Sequence, residues 1–136
     1  LLIHLQWLGR GRTEVIYIAA VAAFGIALDQ LLFAIGLFKL NGAVALAPLW
    51  LSCLWPVLAT TMGHAFSGLG QRPVIAAILG AGGGAGSYIA GTRLSAVEFA
   101  DPLLGPLLMG LLWAALFPLL ALTAKRAMQR DTHATP

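Results

Sequence analysis

The sequence predicts an all-α integral membrane bundle of four transmembrane helices, and three observations predict it. Apolar residues make up 60% of the 136 positions and charged residues only 10%, a balance that a soluble domain of this size could not hide from water. The charges fall between long apolar runs rather than along them, as expected where lipid surrounds each helix. The runs are also continuous, without the alternation over ~10-residue strands that a membrane β-barrel requires.

Taken in order, the expected spans cover residues 15–38, 43–66, 73–91 and 102–124. Each is close to the ~20 residues that a helix rising ~1.5 Å per residue needs to cross a ~30 Å hydrocarbon core. Pro48 and Pro56 are expected to kink the second span and Pro118 the fourth, because proline lacks the amide hydrogen and crowds the preceding turn. The whole chain, 1–136, reads as a single transmembrane helical domain. Its polar end 125–136, KRAMQRDTHATP, is expected to fray into water as a tail. Leu1 to Leu8 is apolar up to Arg10 and Arg12 and reads as the truncated end of an earlier hydrophobic segment. A signal peptide would carry its positive charges before the apolar run.

Lysine and arginine set the expected orientation. One side receives Arg10, Arg12, Arg72, Lys125, Arg126 and Arg130, the other only Lys39 and Arg93. The positive-inside rule therefore puts both ends of the chain in the cytoplasm and Glu98 and Asp101 in the outer loop beside Arg93. Trp50 sits where an aromatic interface anchor belongs, whereas Trp113 lies too deep for that role.

The isoelectric point near 9.6 does not point to nucleic acid, since the basic residues form no stripe on an amphipathic face. Cys53 is the single cysteine, so an intrachain disulfide is excluded. His4, His64 and His133 fall in separate regions without ligand spacing, so neither a metal nor any other cofactor is expected. The remaining partner class is the lipid bilayer, together with a membrane-protein partner or a second copy of the chain.

Asp29 is the most informative residue, because a carboxyl group within a span costs roughly 2.5 to 3.5 kcal/mol on insertion scales. Ala22, Gly25, Asp29 and Gly36 share one face of small residues, which aims Asp29 into the bundle. There it and Gln30 act either as hydrogen-bonding glue between helices or as a substrate or proton site. On the second span, Cys53, Thr60, His64 and Ser67 draw a polar stripe flanked by Thr61. His64 reads as an interfacial histidine or a proton acceptor, with Thr60 bonding back to its own helix. Depth separates Asp29 from His64, so the two are not expected to touch. Tyr88 and Arg93 close the third span as interfacial aromatic and snorkelling base, or as an outward clamp for an anionic group. Gly80, Gly82, Gly84 and Gly86 provide small-xxx-small spacing, which predicts close helix packing and a central position for that helix. A phosphate-cradling loop lacks its Lys-Ser or Lys-Thr and its preceding strand.

The pieces LDQLLFAIGLF, APLWLSCLWPVLATTMGHAF, GSYIAGTRL and LLWAALFPLL together resemble a family of small bacterial inner-membrane proteins known only as a domain of unknown function. The resemblance covers most of residues 15–124 and falls on Asp29, Pro48, Trp50, Trp55, Thr60, Thr61, His64, Tyr88, Gly91 and Trp113. Family members carry additional hydrophobic sequence ahead of the position of Val15, and no activity is attached to them. The expected role is an accessory, binding or assembly component of the inner membrane. The alternative is a lipid-modifying enzyme or small-solute transporter with Asp29 and His64 near a polar cavity.

Overall fold

The computed structural model describes residues 12–43 and 45–133; the apolar start at Leu1 to Leu8, with Arg10, and residues 134–136 lie outside the described residues. Helix α1 spans Arg12–Ala34, strand β1 Phe38–Leu40, helix α2 Leu49–Ser52 and helix α3 Leu54–His64. A 3-10 turn at Ser67–Gln71 leads into α4, Pro73–Leu94, followed by strand β2, Val97–Phe99, and α5, Leu104–His133. Three of these helices, α1, α4 and Leu104–Gln129 of α5, are long and apolar enough to cross a membrane.

Residues 43–66 do not form the continuous fourth helix that the hydropathy implies. Pro48 stands at the N-terminus of α2 in extended conformation, and Pro56 has no N–H to donate to the carbonyl of Ser52, four residues back, where α2 ends. The segment is thus a broken pair, α2 then α3, running antiparallel to α1. Trp55 lies level with Asp29, and His64 lies level with Glu14.

Two further differences from the sequence reading concern helix ends. α1 stops at Ala34 rather than continuing to residue 38, because Gly36 adopts a left-handed conformation, φ 79°. Leu37 then donates to the Leu32 carbonyl and Gly36 to that of Phe33, a Schellman closure. Gly36 therefore leaves the small-residue face of α1. At the other end of the chain, α5 does not fray at residue 125 but continues to His133.

Two short strands were not expected. β1 and β2 pair antiparallel, placing Lys39 opposite Glu98 and burying Phe38 and Val97. Asn41 and Gly42 both have positive φ, and Leu40 and Ala43 exchange backbone hydrogen bonds around them, the geometry of a two-residue hairpin turn. The ribbon ties the end of α1 to the end of α4. Asp101 then starts α5, accepting from the backbone N–H groups of Leu103 and Leu104 at 2.8 Å each. Those two donors hold its carboxyl below the usual carboxylate range.

The centre of the bundle is α5, which packs against α1, α3, α4 and the 3-10 turn. α4, expected to be central, is the least buried of the long helices. Its glycine run explains why: Gly80 and Gly84 let α5 approach so closely that a Cβ at either would fall on Trp113 or Phe117, while added Cβ atoms on Gly82 and Gly86 meet nothing within 4 Å. One face is used and the other is open.

Gly84→Leu is therefore expected to lower the melting temperature in detergent by the equivalent of ~1–3 kcal/mol, with Gly82→Leu close to wild type; equal effects would show that α4 and α5 are not seated this way. Asp101→Ala should melt earlier than wild type at neutral pH. Because the cap acts through a lowered carboxyl pKa, that gap should close as the pH falls below the ordinary value of ~3.9, and a gap independent of pH would exclude the ionised cap.

Candidate functional site

Spacing along α1 decides which of its side chains are buried. Glu14, Ile18, Val21, Gly25, Asp29 and Leu32 follow one another at intervals of three and four and form the inward face. Asp29 is 0% exposed, and both of its carboxyl oxygens are used. Trp55 Nε1 donates to Oδ2 at 2.7 Å, and the Tyr88 hydroxyl donates to Oδ1 at 2.9 Å. Gly25, one turn below, is what admits the indole: a Cβ there would overlap the Trp55 ring. One side chain on α1 is thereby bonded to α3 and to α4.

Aromatic rings surround this knot. Trp55 stacks on Trp113 with centroids 5.5 Å apart, Tyr88 lies 5.5 Å from Phe38, and Phe38 stacks on Phe33. Gln30 faces the other way and clamps the chain before α2, accepting from Ala47 N and donating to Ala47 O.

The remaining candidates divide into separate places. Thr60 and Thr61 donate to the carbonyls of Pro56 and Val57 within α3. His64, at the far end of α3, donates from Nδ1 to the Thr60 carbonyl, and the same atom lies 3.8 Å from Glu14 Oε1. Glu14, only 1% exposed, escapes the sequence reading because hydropathy starts the first span one residue later. Counting back from Asp29 in steps of three and four would have found it. Arg93 is exposed in the last turn of α4, and among the described residues no hydrogen bond or ion pair joins it to Asp29. Among the described residues no three His, Cys, Asp or Glu side chains gather as metal ligands would.

Between α3 and α4 lies a cleft of about 490 Å³, floored by Trp113 and Phe117 of α5 and walled by Trp55, Leu58, Gly83 and Tyr88 among others. The two helices that flank it scarcely touch. Asp29 stands behind the walls, outside the cleft, and fixes the two aromatic side chains that line it.

Three membrane-length helices around a buried carboxyl and a lateral aromatic cleft define a helical membrane-type bundle. The chain belongs to the family described as Protein of unknown function (DUF2878), which matches residues 1–119. Neither a curated protein nor a solved structure matches it.

The knot makes a definite prediction about Asp29. Asparagine can still accept from Trp55 while its amide donates to the Tyr88 oxygen, because a phenol can reverse its role and an indole cannot. Asp29→Asn should accumulate at near wild-type levels. Asp29→Leu strands the buried Trp55 donor, at ~1–3 kcal/mol, and the part-buried Tyr88 donor as well, so it should lower both abundance and melting temperature. The double variant Asp29→Leu with Trp55→Phe should cost less than the sum of the singles; strict additivity would mean that the Trp55 bond is absent in the membrane.

Proposed function

We propose that this chain is a multi-pass protein of the bacterial inner membrane that crosses four times, with both ends cytoplasmic, and serves as a binding component by holding an apolar membrane molecule in the cleft between α3 and α4. The observation that carries the reading is the cleft itself. Its volume lies within the ~300–1,000 Å³ of ligand pockets, its walls are apolar and aromatic, and it opens beside the exposed Leu54, Val57 and Leu79.

The broken pair α2 and α3 supports the fourth crossing, because it carries the chain from the level of Asp29 back to that of Glu14. The distribution of lysine and arginine supports the orientation. For a binding role rather than a proton or ion pathway, the support is that both Asp29 oxygens are engaged by neutral donors belonging to the bundle. The open face of Gly82 and Gly86 is where a partner helix or a second copy would approach most closely.

Topology is checked with single cysteines at Arg72 and Glu98 in a Cys53→Ala background and an impermeant thiol reagent. Intact spheroplasts should label position 98 and not 72, and the reverse would overturn the orientation. Binding is checked by native mass spectrometry of the protein released in mild detergent. Wild type should retain a lipid-sized adduct, and Gly83→Leu, whose side chain enters the cleft without meeting an atom within 4 Å of its Cβ, should lose it. Equal adducts, or none on wild type, would remove the binding role.

A further inference from the structure

Where α3 hands over to α4, the 3-10 turn leaves a second, open pocket of about 550 Å³, lined by Phe66, Gly68, Gln71, Arg72 and Leu79 among others. The fold puts it at one edge of the apolar slab. Gly70 of the turn packs on α5 between the Ala121 carbonyl and the stem of Lys125, and Lys125 is the first charged residue after the apolar run of α5. Arg72 likewise stands immediately before α4.

The pocket changes character with depth. Arg72 and Gln71 stand exposed at its rim. Leu79 lies two turns into α4, about 10 Å deeper at ~1.5 Å per residue. Phe66 sets its ring edge-on against Phe117 of α5, centroids 5.5 Å apart, two turns below Lys125 and so at a similar depth. Ile75, exposed one turn from Leu79, carries the apolar strip out towards lipid.

A site that is cationic at the membrane surface and apolar about 10 Å below it has the profile of a phospholipid, whose phosphate is joined to chains that run inward. A soluble anion would use the rim and leave the deep half unfilled. The lining also sets the charge of the headgroup. Arg72 is the ionisable side chain at the pocket, and no acidic side chain among the described residues pairs with it. Glu14, at the same end of the bundle, is buried and faces His64 instead. A zwitterionic headgroup would bring an ammonium with no carboxylate to meet, whereas an anionic phosphodiester takes the paired donors of the guanidinium.

We propose that this pocket seats one anionic phospholipid, its phosphate on Arg72 and an acyl chain along Phe66 and Leu79. The site does not depend on the reading of the α3–α4 cleft, although Phe66 and Leu79 line both.

An open pocket at the membrane edge exchanges its lipid with detergent, so occupancy is measured by titration. Palmitoyl-oleoyl phosphatidylglycerol, or the phosphatidylcholine with the same chains, is added to the delipidated full chain in a neutral detergent, and bound lipid is counted by native mass spectrometry. Wild type should bind the phosphatidylglycerol about fivefold more tightly, the effect of one arginine beside an anionic headgroup. Arg72→Gln should erase that preference. Arg126→Gln removes an exposed charge outside the pocket and should keep it. Gly68→Leu, whose Cβ meets nothing within 4 Å, fills the pocket and should weaken both lipids. Equal affinities in wild type overturn the assignment, as does an Arg126→Gln variant impaired like Arg72→Gln, which would reduce the effect to attraction by a basic surface. Displacement of the phosphatidylglycerol by millimolar inorganic phosphate would also overturn it, by showing a site for soluble anions. Should Arg72→Gln fail to fold, Gly68→Leu decides, because phosphatidylglycerol binding untouched by that change refutes the pocket. Loss of the preference in Gly83→Leu but not in Gly68→Leu would put the lipid in the cleft and refute it equally.

Discussion

The structure depends on one buried carboxyl group. Asp29 has no access to solvent or lipid, and it is tolerable there only because an indole N–H and a phenol O–H reach it from two other helices. This turns the cost of burying the group into a constraint on geometry: Trp55 and Tyr88 cannot rotate away without stranding it. Since α1 and α4 hardly pack on one another, the Tyr88 bond and the β1–β2 ribbon are what join them. A second tie, from the Tyr17 hydroxyl to the Leu120 carbonyl at 3.0 Å, fastens α1 to α5 nearer the other end.

Much of this was legible in the residue pattern, for identifiable reasons. Apolar length shows α1, α4 and α5, because unbroken hydrophobicity over a membrane thickness is what a lipid-facing helix requires. The inward aim of Asp29 follows from its small-residue face, and Gly25 proves to be the residue that gives Trp55 its room. What the pattern hid was whatever depends on two distant segments at once. Neither Trp55 nor Tyr88 is marked by spacing as the partner of Asp29, since they lie 26 and 59 residues away. The ribbon strands are three residues long, too short for alternation to register, although Asn41-Gly42 is a recognisable hairpin turn. The break at Cys53 was foreshadowed by Pro56, but hydropathy averages across a proline and so reports one span.

Small residues divide the labour on α4. On one side Gly80 and Gly84 remove the bulk that would hold α5 off, and Trp113 fills the space. Gly83 and Ser87, on the next strip of surface, leave a hollow facing α3. Close packing on one face and a cleft on the adjacent one are thus made from the same kind of residue, and only the position around the helix separates them. The result is a wall set firmly on α5 with an empty side, rather than a helix buried in the middle of the bundle.

The order of these contacts along the chain governs how the protein can be built. Synthesis runs from the N-terminus, so α1 enters the bilayer carrying a carboxyl group whose first donor, Trp55, is 26 residues behind it and whose second, Tyr88, is 59 behind. The tie from Tyr17 waits for Leu120, 103 residues on. Until α3 arrives, Asp29 must be sheltered by the insertion machinery, by water drawn into the membrane or by protonation. A nascent chain halted between Trp55 and Tyr88 would hold one donor of the two, which makes the α1–α3 hairpin the earliest unit able to offer that carboxyl a partner from its own chain and leaves the second bond to α4.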